Sequence, residues 1–540
     1  MVPEPFDRLR NHPSKGSGTT RRNDCYTKFG GFDKVNHRNA ALLDSLCFFA
    51  MHKIDFFYSK SNALTCTVDS IPLHSKYDPI REAEQFSASV KCDFIPSSIL
   101  IVEPGIGYCI EFLKNNFPQS KIYILRFTHE FDKFNNTCPT IYCEKDALEV
   151  ENEIFNLFGE EKLCQTLFLA WRASNSCFPE KNTIAWEGIK KAISKGNSIL
   201  ATRSFFSKRW LYNSFKIIEN LDNYLILRKI SKPVVITASG PSLQGMICQI
   251  KESRKKMFLL ALSSSLSVLL YNGIIPDAIL STDGGYFASN HLKKLSQTNN
   301  IPLIIGIEGY CFSHILKKSN ICPLLIKDSV AQSVKSKCNF PTVEPNGTVS
   351  GTALQVARLL TDSFIFFCGL DLEICNGFQH SNPNENELQN SLHDNRLRSQ
   401  ENRIVSSMKT SISLDIYRNW FSSLPIDMAK NVFRVSDNYP FKNNLKNIKD
   451  VGKAFFKSAL SKENDKFENP FEKSMLKNKK ELLNDLLKII TTDDFCYKLN
   501  PLKKVQIEKS LDENRRNMLR NELYEETTQF INKIKERFFH

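Results

Sequence analysis

Four stretches of this chain set proton-handling or glycine residues at the ends of apolar runs. In "VVITASGPSLQG" a β-branched run ends at Ser239, Gly240, Pro241 and Ser242. Glycine lets a ligand approach the backbone, proline stiffens the loop, and the serines offer hydroxyls beside amides, a combination suited to a phosphate or a ribose. "PDAILSTDGG" closes a second run on Asp283, whose carboxylate suits the hydroxyls of a ribose or sugar, or a cation. "EPNGTVSGTALQVARLL" opens a helix with Gly347, Thr348, Ser350 and Gly351, and the free amides of a helix start favour an anion. "IFFCGLDLEICNGFQH" brings Asp371 and Glu373 to the end of a very apolar run and His380 to the loop beyond it. An imidazole there suits a general base, because it titrates near neutrality. Each stretch also has an architectural reading: a stiffened turn with a serine cap, a turn aspartate, a tightly packed helix start, a surface histidine. There is no Asp-x-Asp beside Asp283. No metal site and no tightly bound cofactor are expected.

These residues reach one place only if the runs share a sheet. "PVVITAS", "MFLLALS", "PDAILSTD", "IPLIIGI", "CPLLIKD" and "SFIFFCGLDL" are nearly continuous in apolar character and alternate with helical patterns. That pattern predicts an α/β fold with a doubly wound parallel sheet buried on both faces. Ligands of such sheets bind outside the carboxyl ends of the strands, where three of the four stretches, all but the 347–351 turn, place their polar residues. Upstream, "SSILIVEPGIGYCIEFL" and "KIYILRF" form a strand–turn–helix–strand unit around Gly105 and Gly107. The third glycine of a dinucleotide fingerprint is missing and the second strand ends in Arg126, so a tight turn is the simpler reading.

The domain order follows from these patterns. Residues 1–40 read as a flexible N-terminus, 41–180 as a smaller N-terminal α/β domain and 181–231 as a helical connector. Residues 232–440 read as the central catalytic domain and 441–540 as an α-helical C-terminal region. The chain has 540 residues and a net charge of +14, but its Lys and Arg are spread along the helices with no run of five like charges. This pattern argues against a nucleic-acid partner. The 16 cysteines include no Cys-x-x-Cys pair, which suits a reducing compartment. The N-terminus lacks the apolar core of a secretory signal, and serines break the longest apolar stretch, from Met257. A cytoplasmic location without membrane insertion is expected.

"ASGPSLQG", "LSSSLSVLLYNGIIPDAILSTD", "NGTVSGTALQVARLL" with "FFCGLDL", and "FQHSN" together resemble the motility accessory factor family of flagellin glycosyltransferases. "LHSKYDPIREAEQF" and "VEPGIGYCIEFL" resemble that family's N-terminal domain, so the resemblance covers roughly residues 60 to 440. It implies a Rossmann-like central domain that moves a sialic-acid-like nonulosonic sugar to Ser or Thr of flagellin. The Gly-Pro-Ser-Leu turn is also similar to that of CMP-sugar sialyltransferases, which carry Asn where this chain has Ser239. On this resemblance a CMP-activated sugar is the donor, held by Ser239 to Ser242, Asp283 and the 347–351 turn, with His380 and Asp371 catalytic. "VSDNYPF" stands where the family shows a Gly-Gly-Ala-like stretch. The central domain also resembles archaeal-type 6-hydroxymethylpterin diphosphokinases, which implies a second class: Mg²⁺-dependent pyrophosphoryl transfer from ATP. A third class is a flagellin-binding chaperone without catalysis.

Overall fold

The computed structural model describes residues 52–539, apart from 135–136, 297, 299–300, 328, 374–379, 400–401, 403–411, 437–440 and 442. The expected flexible stretch 1–40, Phe378 and Gln379, and most of the 436–441 segment lie outside the described residues.

β1 (Ile54–Tyr58), β2 (Leu64–Val68) and β3 (Ile71–Pro72) form an antiparallel sheet. A four-stranded parallel sheet follows in the order β6-β5-β4-β7, from β4 (Ser98–Val102), β5 (Lys121–Arg126), β6 (Thr140–Tyr142) and β7 (Thr166–Ala170). Helices α1 (Cys109–Asn116) and α2 (Ala147–Cys164) connect its strands. The Gly105 turn after β4 is filled from within. His74 accepts the Ile106 N–H on Nε2 at 2.9 Å. Glu103 takes Arg126 at 2.7 Å and the Phe127 N–H at 2.6 Å, all inside the protein. A Cβ on Gly105, whose φ is +56°, would lie 2.4 Å from the His74 ring. On its Gly105 side the turn is filled by the protein's own His74 ring, while Ile106, Gly107 and Tyr108 line an open pocket with Leu64 and Ile80.

A single helix, α3 (Pro179–Asn220), leaves this domain and is followed by β8 (Asn223–Leu227). The central sheet then builds from β9 (Val234–Thr237), β10 (Phe258–Leu262), β11 (Ala278–Ser281), β12 (Leu303–Gly306), β13 (Ile321–Ile326), β14 (Thr342–Val343), β15 (Ile365–Cys368), β16 (Val432–Ser436) and β17 (Lys449–Gly452). Its order is β14-β13-β12-β11-β10-β9-β15-β16-β17 and every pairing is parallel. From β9 the chain winds outward to β14, then returns through α5 (Val349–Leu360) to lay β15 on the other flank of β9. Helix α4 (Leu243–Glu252) follows β9 directly. The strands from β9 to β12 and β15 are buried throughout, because helices cover both faces. This is the Rossmann-like α/β fold that the apolar runs predict.

Beyond Phe441 the structure differs from a wholly helical tail. β17 extends the central sheet, and β18 (Phe471–Met475) pairs antiparallel with β8. Helices α7 (Lys479–Ile490) and α8 (Glu513–Phe538) bury Leu482, Leu486, Ile490, Phe530 and Ile534 in one cluster with Ile279, Leu303 and Ile305 of the central sheet. The helix α6 (Glu385–Ser391) lies between β15 and β16 in sequence. No helix among the described residues is long and apolar enough to cross a membrane.

Candidate functional site

β9 and β15 are neighbours where the winding of the sheet reverses, so their carboxyl ends open the crevice in which such sheets bind ligands. The Gly-Pro-Ser turn stands there. The Ala238 N–H donates to Cys368 O at 2.9 Å and the Gly240 N–H to Gly369 O at 2.8 Å. A Cβ on Gly240 would stand 2.5 Å from Gly369 O and 2.6 Å from the Asp371 carboxyl carbon. Glycine is required at 240 because two strand ends crowd it. Gly369, at φ +82°, is the position that needs the left-handed conformation.

Asp371 is buried and binds Ser242 with both oxygens, taking the N–H at 2.7 Å and the hydroxyl through a second, shorter contact. Burial raises its carboxyl, and the Ser242 bonds partly reverse this. The N–H groups of Leu243, Gln244 and Gly245 donate back to Gly240, Pro241 and Ser242. The carboxylate therefore occupies the position where an anion would meet the start of α4. Asn443 donates to the Asp371 carbonyl at 2.8 Å and to Glu373 at 3.0 Å.

His380 comes to the same crevice. Its Nδ1 lies 2.8 Å from the Ser239 hydroxyl, and the Ser381 N–H donates to Ser239 O at 2.7 Å. Burial lowers the imidazole's affinity for a proton, and nearby Glu387 partly restores it. The loop continues through Asn384, whose side chain accepts the Asn386 N–H at 3.0 Å and so starts α6. Glu385 accepts from the Ser267 hydroxyl at 2.8 Å and pairs with Lys294 at 3.0 Å. Asn386 lies 3.0 Å from Nε2 of His291. Burial, and then the nearness of His380, brings the His291 ring down to about 4, so it is neutral.

Of the residues singled out from sequence, Ser239, Gly240, Pro241, Ser242, Asp371 and His380 meet at this crevice. Asp283 stands after β11, two strands from β9 and therefore about 10 Å along the sheet. It accepts the Gly285 N–H at 2.7 Å; burial raises its carboxyl, and that bond and Arg209 partly oppose the rise. The 3-10 helix Tyr286–Ser296 leads from Asp283 to His291, on the wall facing α6. Trp210 and Asn213 of α3 complete that side. Trp210 leaves no room for a side chain at Gly284, and Asn213 joins the carbonyls of Gly284 and Glu308.

The 347–351 turn is held by its own neighbours. Asn346 accepts the Thr348 N–H at 3.0 Å, and Gly351 is packed against Asn346 and Trp420. No hydrogen bond among the described residues joins this turn to Ser239, Ser242 or His380. Its glycines have local reasons: Gly347 turns at φ +72°, and Gly351 admits the Trp420 ring.

Sequence reasoning missed His291, Asn384, Glu385 and Glu308. The serines interrupting "LSSSLS" were a usable signal, because Ser267 binds Glu385 and the Ser264 carbonyl accepts from Asn384 at 3.4 Å. Among the described residues no group of three or more His, Cys, Asp or Glu is placed to hold a metal ion.

Residues 208–377 match the family model described as 6-hydroxymethylpterin diphosphokinase MptE-like, which begins inside α3, ahead of the boundary expected at 232. A relative from Treponema pallidum (strain Nichols), described as an uncharacterized protein, is 26% identical over 307 residues, 56% of this chain and 68% of its own. The structure of a Maf glycosyltransferase from Magnetospirillum magneticum AMB-1 shares the fold. Its TM-score is 0.50 at 13% identity, over 90% of this chain and 92% of that one.

Proposed function

We propose, from an MptE-like domain set in the fold of a Maf glycosyltransferase, that the chain transfers a nonulosonic (sialic-acid-like) sugar from a CMP-type donor to Ser or Thr of flagellin in the cytoplasm. The observation that carries this reading is the meeting of the Gly-Pro-Ser turn with His380 at the β9/β15 reversal. Asp371 already closes the start of α4, so the donor phosphate approaches from the Ser239 side. The sugar then points toward Asp283, and the acceptor hydroxyl enters beside His380. The acceptor oxygen bonds to the anomeric carbon while that carbon's bond to the phosphate oxygen breaks. CMP leaves with the electron pair, and Nε2 of His380 takes the acceptor's proton. A hydroxyl is a poor nucleophile until its proton is removed, and a positioned base contributes about 10² to 10⁴-fold.

His380→Ala should slow transfer by roughly that factor and leave donor affinity nearly unchanged. Intact-mass analysis of flagellin made with wild type or with the variant reads transfer, and calorimetry with CMP reads donor binding. Unchanged sugar increments would remove His380 from the role of base. The family description supports a second reading, pyrophosphoryl transfer from ATP with Mg²⁺ to a pterin alcohol. Release of AMP in the presence of such an acceptor would favour it. Binding of neither CMP nor ATP would leave the non-catalytic flagellin-binding role.

A further inference from the structure

Ser239 has three possible employments in this crevice, and the hydrogen bonds around it separate them. As a phosphate ligand it would act with the amides of its turn. Those of Gly240, Ser242, Leu243, Gln244 and Gly245 are already bound to Gly369, Asp371 and the turn's own carbonyls. As a nucleophile it would need amides to hold the oxyanion, and the usual first donor is the amide of the following residue. Here that amide, on Gly240, is held by Gly369 O at 2.8 Å.

The third employment is the one its contacts show. The Ser239 hydroxyl is 2.8 Å from Nδ1 of His380, and its carbonyl accepts both the N–H of Ser381 at 2.7 Å and the Ser381 hydroxyl at 3.2 Å. Residue 239 is thus tied at three points to residues 380 and 381. Its own place is fixed by the flanking bonds of Ala238 and Gly240 to the end of β15. Ser239 is only 7% exposed, so this arrangement lies inside the protein.

A neutral imidazole carries one hydrogen, and the partner of one nitrogen decides the chemistry of the other. For Nε2 to accept a proton, Nδ1 must keep the hydrogen. Among the described residues the Ser239 hydroxyl is the one hydrogen-bond partner of either ring nitrogen. We propose that Ser239 is a positioning residue: its oxygen accepts the Nδ1–H of His380, fixing the ring and leaving Nε2 as the proton acceptor. This rests on the reading of His380 as the base.

The tautomer can be read without any activity. In full-length protein labelled with ¹⁵N-histidine at pH 8, the His380 signals are assigned by their loss in His380→Gln, and two-bond ¹H–¹⁵N correlations identify the protonated nitrogen. Wild type should show Nδ1–H. Ser239→Ala should shift the ring to Nε2–H, and Ser239→Thr, which keeps the hydroxyl, should retain Nδ1–H. In the transfer assay Ser239→Ala should lower kcat by roughly ten- to a hundredfold, the scale seen when a metal-bound histidine loses its orienting partner, with KM for the donor within about twofold and recovery in Ser239→Thr. Wild type showing Nε2–H overturns the proposal, even if the alanine variant does not fold. A Ser239→Ala protein with an unchanged tautomer, or one whose donor affinity falls in step with its rate, overturns it too. If the tautomer responds as expected while wild type transfers no sugar, the positioning role stands and the transferase reading falls.

Discussion

Asp371 and Glu308 are both enclosed carboxyls near strand ends, yet the protein treats them differently. Asp371 has both oxygens bound by Ser242, whereas no described side chain hydrogen-bonds to the Glu308 carboxyl, Asn213 reaching only its backbone carbonyl. Burial pushes the Glu308 carboxyl up to about 7, only partly opposed by Arg203, which itself pairs with Glu160. The folded protein therefore holds a proton on Glu308 between about pH 4.5 and 7, where the unfolded chain has lost it. Because the native state binds more protons in that window, stability falls as pH rises through it, by up to about 3 kcal/mol. Glu308→Gln should match wild type near pH 5 and be more stable at pH 8, as read by urea midpoints at the two pH values. A constant difference across pH would reject the assignment. Sequence could not show this residue, since the Glu in "IIGIEGY" reads as one more turn carboxylate. His380 and Asp371 were legible because a buried strand must release its polar residues at its end. The partners they would choose, Ser239 and Ser242, depend on which strands become neighbours.

At the scale of elements, what sequence shows is whatever a segment buries by itself. β9 to β13 and β15 were legible because continuous apolar runs bounded by Gly, Pro and Asp leave few alternatives. β8, β17 and β18 were missed: they are short, partly exposed and polar in places, and they become strands only through distant partners. The Gly105 turn was legible as a turn, while its filling by His74 was not, because His74 arrives from the β3 side of the domain. His74 is buried and brought down to about 3, so a neutral ring fills the turn. Gly105→Ala should cost about 2 to 5 kcal/mol, combining the left-handed backbone with a collision against that ring. Gly273→Ala, at φ +70° with open space around it, should cost about 1 to 2 kcal/mol. Denaturant midpoints of the two variants make the comparison, and equal losses would mean that His74 yields freely.

On the scale of the whole molecule, the region after Phe441 reads from its composition as a polar, separable helical appendage. Its apolar positions are too sparse to announce a core, and the surface that receives them lies on elements far away in sequence. In the structure, Leu482, Leu486 and Ile490 of α7 and Phe530 and Ile534 of α8 pack with Phe215 and Ile218 of α3 and with β11 and β12. A chain ending near Asn443 should therefore bind a hydrophobic dye and aggregate. A soluble fragment that binds no such dye would restore the appendage.

The pairing of β8 with β18 also sets an order in time. β8 leaves the ribosome while β18, α7 and α8 are still unmade, and synthesis of the intervening chain takes on the order of tens of seconds. The N-terminal sheet has all its strands by Ala170 and is free to fold during that interval. The face of β11 and β12 shared with α3 has to wait, only partly covered, for partners not yet translated. Elongation speed over residues 230–530, and any holdase present in that interval, thus bear directly on the yield of native protein.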